Sequence, residues 1–156
     1  YKAFKVPCFF GLMHAGYGHL WRWVRGLIMN AGEEKSEVYV SRSMFAAFDP
    51  STINDKMKVS ECPQTEGYIK RVSYEGLCCM PTEVGGSAST YYPDYFYTNA
   101  KTSKGLRVRA AGGGADNGAG AGAFCTSTNR TAAHAGAYCS SPLCYFEEDP
   151  IIEKAS

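Results

Sequence analysis

The side chains best suited to molecular recognition lie in residues 111–139, among runs of small residues. More than half of this stretch is Ala and Gly, and the rest includes Asp116, Asn129, Arg130 and Tyr138. Polar and aromatic groups of this kind make the adaptable contacts of antibody paratopes. Small residues permit tight turns and close backbone approach. The composition therefore predicts a recognition surface carried on a scaffold of small residues.

The same stretch is skewed in what it lacks. Lys, Glu, Gln, Met, Trp, Leu, Ile, Val and Pro are all absent, although the first hundred residues use nearly all of them freely. Every residue type that it does contain can be reached from an Asn codon, AAC or AAT, by changing only the adenines. Lys, Glu, Gln, Met and Trp cannot be reached in that way. This pattern is typical of a segment diversified by mutagenesis at adenines.

Two other interpretations of the glycines fit less well. A dinucleotide-binding loop needs GxGxxG before an amphipathic helix, but Gly112, Gly114 and Gly118 are spaced GxGxxxG and no apolar periodicity follows. A Walker A loop needs Lys, which the stretch lacks. A flexible linker is disfavoured because Phe124 lies inside the stretch and an apolar segment, residues 143–146, follows it. We expect Phe124 to anchor the stretch.

Neither the histidines nor the cysteines form a catalytic or metal-binding motif. The three histidines are scattered, and no HExxH or CxxC occurs. We expect the cysteines to be mostly free and partly buried thiols, with a Cys125–Cys139 bridge left open. We therefore predict no metal and no cofactor. The seven cysteines are Cys8, Cys62, Cys78, Cys79, Cys125, Cys139 and Cys144.

The length and net charge of the chain limit the number of domains and the kinds of partner that it could have. With 156 residues and a formal net charge of +1, the chain fits a single domain, residues 1–156, and has no electrostatic attraction for nucleic acid. No apolar run approaches the roughly 18 residues that cross a bilayer, so we predict no membrane insertion. Because Tyr1 is not a start residue and no signal peptide is visible, we expect the C-terminal part of a longer protein.

Short elements must position the recognition surface. The apolar residues of 19–28 fall at helical spacing, and Pro93 removes a ladder donor from residues 91–97. We expect at least one of Trp21 and Trp23 in the core and neither at a ligand site. The fold class is predicted to be α+β, with short strands, one or two helices and long loops. The predicted elements are strands at 37–41, 67–72 and 106–109, an edge strand or extended segment at 91–97, a helix or bent helix–strand join at 19–28, and a short helix at 43–48.

Two blocks of the sequence resemble the variable proteins of diversity-generating retroelements, particularly those of phages that infect gut bacteria. Residues 18–26, GHLWRWVRG, are similar to the G-[HN]-[IL]-W-[RK]-[WF]-x-x-G block of such domains. Residues 112–124, GGGADNGAGAGAF, with SSPLC at 140–144, are similar to their GGxAxNGAxAGAF variable-region scaffold. The resemblance implies a C-type-lectin-like fold that displays variable residues on one solvent-facing surface and binds ligands without catalysis.

Carried over by position, the resemblance also implies which residues vary and contact the ligand. The variable region is about residues 111–139. The twelve implied positions are Ala111, Gly114, Asp116, Asn117, Gly120, Cys125, Ser127, Asn129, Arg130, His134, Gly136 and Tyr138.

The function implied by the resemblance is that of a hypervariable ligand-display domain. It would belong to a phage fibre or another virion surface protein and would bind a host cell-surface protein or glycan. A homo-oligomer, with a trimer as the expected form, would let several weak sites act together. One alternative is a bacterial cell-surface display protein of the same family. The other is an enzyme similar to formylglycine-generating oxidases, for which Cys139 and Cys144 would be the candidate cysteines.

Overall fold

In residues 18–42 and 48–140, nine β-strands make up almost all of the regular structure. The computed structural model describes residues 18–42 and 48–140. Within them, helical structure is limited to two 3-10 turns, Glu75–Leu77 and Gly118–Gly120, and no helix has the length and apolar character that crossing a membrane requires. The strands are β1 (Trp21–Ala31), β2 (Ser36–Ser41), β3 (Lys56–Cys62), β4 (Gly67–Ser73), β5 (Met80–Val84), β6 (Tyr95–Tyr97), β7 (Gly105–Ala111), β8 (Thr126–Arg130) and β9 (Cys139–Ser140).

The strands form one sheet that curls until its two edges meet. Their order is β3-β2-β1-β7-β8-β6-β4-β5, and β9 pairs with the first residues of β1. The end strands β3 and β5 lie against each other, so the sheet is nearly closed. Most neighbours are antiparallel, whereas β6 pairs with β8, and β9 with β1, in parallel. Closure of this kind protects strand edges that would otherwise present unpaired backbone groups.

The predicted fold class, an α+β C-type-lectin-like domain with one or two helices, is wrong: the described residues are almost entirely β. The helix expected within residues 19–28 is part of strand β1. Gly26, with φ of +87°, lies where the register of β1 against β7 shifts, between Val24 and Ile28. Such a bulge interrupts the alternation of a strand, so its apolar residues imitate helical spacing. Residues 43–47 of the other predicted helix lie outside the described residues.

The other predicted elements compare better with the structure. Pro93 precedes β6, so its missing N–H removes no bond from the ladder. The expected edge position of this segment is wrong, because β6 lies between β4 and β8. Three predicted strands are confirmed, those at 37–41, 67–72 and 106–109, which correspond to β2, β4 and β7.

The interior of the curled sheet is the main hydrophobic core. Phe96, Met29 and Ile69 have no exposed surface there. Burying large apolar side chains in this way is the main source of folding stability. A second, smaller cluster joins Trp21 of β1 to Ala110 of β7 and Cys125. The buried members of the main core are Leu27, Met29, Ala31, Val38, Val40, Val59, Cys62, Ile69, Val72, Cys78, Met80, Phe96 and Ala100.

Strand β7 buries its basic residues. The guanidinium group of Arg109 donates hydrogen bonds to the backbone oxygen of Cys78 and to Oγ1 of Thr126, the latter over 3.2 Å. Burial holds the pKa of Arg109 below its ordinary value. Arg107 is also buried and donates to the backbone oxygen of Lys104 over 3.0 Å. These bonds offset part of the cost of removing the guanidinium groups from water.

Candidate functional site

Residues 111–139 are ordered against the sheet largely by their backbone. The backbone N–H of Gly112 donates to the oxygen of Cys125 over 2.9 Å, and that of Ala115 donates to the oxygen of His19 over 3.1 Å. Two parts of the segment, β8 and the first residue of β9, are themselves strands of the sheet. The flexible-linker interpretation is therefore wrong.

Asp94, which precedes β6, anchors the middle of the segment. Its carboxylate accepts a hydrogen bond from the backbone N–H of Phe124 over 2.6 Å. It also occupies the space beside Gly122, where an added Cβ would overlap the carboxylate oxygens. The half-buried Phe124 ring packs edge-on against Tyr92, with 4.9 Å between centroids. Phe124 packs against the main core, and its role as the anchor of the segment stays a prediction. Nothing in the sequence pattern pointed to Asp94.

Beside this segment the surface forms a hollow of about 410 Å³, called here the aromatic hollow. Its walls combine aromatic rings with hydrogen-bonding groups. A volume of this size falls within the range of small-molecule binding sites. Its lining residues are Trp21, Trp23, Tyr97, Ala110, Asp116, Asn117, Ser127, Asn129, Arg130, Tyr138 and Cys139.

Half of the predicted variable positions come together at the aromatic hollow. In β8 the side chains are sorted by strand geometry: Thr126 and Thr128 are fully buried, whereas Ser127 and Asn129 are half-buried and line the hollow. Successive residues of a strand point to opposite faces, so this alternation separates interior positions from displayed ones. The six variable positions in the lining are Asp116, Asn117, Ser127, Asn129, Arg130 and Tyr138.

Three further variable positions are buried around the base of the hollow. Cys125 has no exposed surface and packs against Trp21. A Cβ added at Gly114 would lie 3.4 Å from Nε1 of Trp21, and one added at Gly120 would lie 3.4 Å from the hydroxyl of Tyr97. Substitution at these positions would change the shape of the hollow more than the groups it presents.

The last three variable positions are half-buried and flank the hollow. Ala111 ends β7. Nε2 of His134 and the hydroxyl of Tyr138 are 2.6 Å apart and share a hydrogen bond. The His134 ring also packs edge-on against Trp23, with centroids 6.2 Å apart. Gly136 lies beneath the Tyr138 ring, because a Cβ there would come within 2.8 Å of it. These residues hold one wall of the hollow in place.

Three aromatic residues from outside the segment complete the hollow. Trp21 and Trp23 come from β1 and Tyr97 from β6. The sequence interpretation placed neither Trp at a ligand site, but both line the hollow, because residues two apart in a strand share a face. Trp21 packs edge-on against Tyr97, with centroids 5.7 Å apart.

Hydrogen bonds and burial fix the position and the protonation of polar groups in the aromatic hollow. The hydroxyl of Tyr97 accepts a hydrogen bond from Nδ2 of Asn117 over 3.1 Å, and Oδ1 of Asn117 accepts one from the backbone N–H of Gly114 over 2.5 Å. Burial raises the pKa of Tyr97, so its hydroxyl stays neutral. Asp116 and Arg130 are exposed and bring one charge of each sign to the hollow.

Cys139 also lines the hollow, but its environment does not activate the thiol. Burial raises the pKa of Cys139, whereas a nucleophilic cysteine needs a lowered pKa. Cys125 and Cys139 are both free, so the bridge between them is not formed. Cys144, the other cysteine of the oxidase alternative, lies outside the described residues. Within the part of the chain that the structure describes, no three His, Cys, Asp or Glu side chains are grouped as a metal site would require.

A second hollow of about 280 Å³ adjoins the other side of Trp23. Its lining is largely apolar, with Val24, Phe48 and Val108 among its residues. Trp23 therefore lines both hollows.

Comparison of the chain with protein-family models, with curated proteins and with solved structures finds no match.

Proposed function

We propose that this chain is a hypervariable ligand-display domain that binds a host-surface receptor or glycan through the aromatic hollow. The observation that supports the proposal is the convergence of six predicted variable positions on one hollow. The family resemblance implied these positions, and they come from three separate parts of the segment, residues 116–117, 127–130 and 138. Under the proposal, the side chains at the variable positions within residues 111–139 change from variant to variant, while the backbone of the curled sheet, including β8, stays the same.

The way the segment is held favours replacement of its side chains. Backbone hydrogen bonds and the Asp94 carboxylate position most of it, and neither depends on which side chain occupies a displayed position. Asn117 differs, because its side-chain amide bonds to the backbone N–H of Gly114 and to the hydroxyl of Tyr97. Asp116, Arg130 and Tyr138 are exposed. Exposed side chains of this kind contribute little to stability, so they can be replaced by other residue types without a change in the backbone conformation.

The biological setting that we propose is the surface of a phage virion, with the domain at the end of a fibre. Assembly of the fibre as a homo-oligomer, which we expect to be a trimer, would present several hollows to one cell. Linked sites raise the overall affinity by orders of magnitude, so each hollow needs only modest affinity. Display on a bacterial cell surface would use the same hollow in the same way.

We propose that the hollow binds its ligand without transforming it. The raised pKa of Cys139 leaves a protonated thiol where the oxidase alternative needs a nucleophile. A peptide oxidation assay with the unmodified chain and with Cys139→Ser addresses this point directly. Oxidation that disappears in the variant would favour the enzyme over the display module.

The diversification is tested by comparing variants of this gene from one bacterial population. We expect nucleotide substitutions to concentrate at adenines of a template repeat, within codons 111–139 and above all at the six positions in the hollow. Codons for β2 and β4 provide the internal control and should remain constant. Substitutions spread evenly over the gene, or indifferent to adenines, would refute the proposed function.

A further inference from the structure

The aromatic hollow has two sides with different origins. Trp21, Trp23 and Tyr97 come from β1 and β6, outside residues 111–139, whereas the six displayed polar and aromatic positions come from inside that segment. If the segment is diversified as proposed, these three rings do not change with it. Every variant would then present the same aromatic wall beside a different set of polar groups.

The fixed rings are held firmly enough to act as a binding platform. Trp21 is 9% exposed and Tyr97 is half-buried, and the two rings meet edge-on at an angle of 84°. The indole of Trp23 is half-buried and belongs to β1, which lies outside the variable segment. Its contact with the ring of His134 involves a variable position and is therefore not part of the shared platform. Aromatic rings pre-positioned in this way lose little conformational freedom when a ligand packs against them.

A sugar ring is the ligand that matches both sides of the hollow. One face of a pyranose carries several C–H groups and packs on an aromatic ring through dispersion and weak C–H contacts. Its edge carries hydroxyl groups that both donate and accept hydrogen bonds. Asp116, Asn129 and Arg130 line the hollow beside the rings and offer acceptors and donors for such hydroxyls.

We infer that the constant ligand class of this domain and its variants is carbohydrate, with one pyranose ring packed on Trp23 inside the aromatic hollow. The inference rests on the proposed function and narrows it from a receptor or glycan to a glycan. The shape of the site supports this choice: a concave hollow of about 410 Å³ suits a small ring. A standard protein–protein contact instead takes about 800 Å² of each partner. The side chains at the diversified positions would then determine which arrangement of sugar hydroxyl groups each variant binds.

The two tryptophans of the chain make the inference directly measurable. Trp21 and Trp23 are the only ones in the sequence, and both line the hollow, so intrinsic fluorescence reports on this site. The probes are methyl glycosides of glucose, galactose, mannose, rhamnose and N-acetylglucosamine, together with bacterial envelope polysaccharides. We expect at least one probe to change the tryptophan emission saturably. If no probe changes the emission in this way, the inference is overturned.

Variants of Trp23 separate stacking from general damage, with binding followed by calorimetry. Trp23→Ala should weaken saccharide binding by about tenfold, and Trp23→Phe by about threefold or less, because a phenyl ring keeps most of the stacking surface. Tyr91→Ala, which removes a ring that is 68% exposed and outside the hollow, should bind as the unmodified chain does. Equal binding by Trp23→Ala in a folded protein would refute the stacking geometry.

The failure of this inference is distinguishable from failure of the proposed function. The unmodified chain is tested on envelopes of a panel of gut bacteria, treated either with periodate to destroy sugars or with protease to destroy proteins. Loss of binding after periodate supports a glycan. Binding that survives periodate and disappears after protease overturns the inference but leaves a display domain for a protein receptor. Binding to no envelope counts against the proposed function itself.

Discussion

The main core and the segment around the aromatic hollow are held in place in opposite ways. In the core, large side chains such as Phe96 and Ile69 have no exposed surface, and apolar burial supplies the stability. In residues 111–139, small or exposed side chains predominate. Backbone hydrogen bonds supply most of the order there, together with the carboxylate of Asp94 and the amide of Asn117. A segment held through its backbone can exchange its side chains and keep its shape, which a replaceable binding face requires.

Truncating the core should have the largest effect on stability. Phe96→Ala should lower the free energy of unfolding by about 3–5 kcal/mol, the usual cost of deleting a fully buried aromatic ring. The matched control is Tyr91→Ala, because Tyr91 is 68% exposed and its loss should change stability by at most about 0.5 kcal/mol. Denaturant unfolding measures both. Similar costs for the two variants would mean that the interior of the sheet is not the stabilising core.

The second-largest effect on stability should come from adding one methyl group to the segment, at Gly122. In Gly122→Ala, the new Cβ would overlap the Asp94 carboxylate and disturb its hydrogen bond to Phe124. We expect a loss on the order of 3 kcal/mol, which combines overpacking with a weakened charged hydrogen bond. In Gly122→Ala/Asp94→Ala the steric conflict is gone, so denaturant unfolding should show a cost below the sum of the two single variants. A strictly additive cost would exclude the conflict.

Phe124→Ala should have an intermediate effect. Because the ring is half-buried and rests on Tyr92, we expect a loss of about 2 kcal/mol, below the cost for a fully buried Phe. Phe124→Leu should recover part of it. Denaturant unfolding gives the size of the loss, and limited proteolysis shows whether cleavage begins within residues 111–139. An unchanged unfolding curve would mean that this ring does not anchor the segment.

The predicted fold class is wrong, whereas the site residues stay a prediction, and the two kinds of inference rest on different features of the sequence. The variable positions, among them Asp116, Ser127 and Arg130, are implied one by one by the family resemblance, which requires no knowledge of their neighbours in space. Fold class depends on periodicity, and the bulge near Gly26 converted the alternation of β1 into apparent helical spacing.

Other features could not be predicted because they depend on contacts between distant residues. The anchoring carboxylate of Asp94 is separated from Phe124 by thirty positions in the sequence. The buried guanidinium of Arg109 is accommodated by acceptors on Cys78 and Thr126. Nothing local to a charged residue indicates that such partners exist, so an alternating apolar and basic strand suggests exposed arginines.

The smallest effects on stability should come from the displayed side chains themselves, and they test the comparison most sharply. Asp116→Ala, Arg130→Ala and Tyr138→Ala should each change the free energy of unfolding by at most about 0.5 kcal/mol, as is usual for exposed positions. Tyr138 is 44% exposed, so even the loss of its hydrogen bond to His134 should cost little. The free energy of unfolding of the triple variant, measured by denaturant unfolding, should lie within about 1.5 kcal/mol of the value for the unmodified chain. Its binding to bacterial envelopes should fall. A triple variant as unstable as Phe96→Ala would show that the displayed side chains hold the segment together, and such a segment could not be diversified freely.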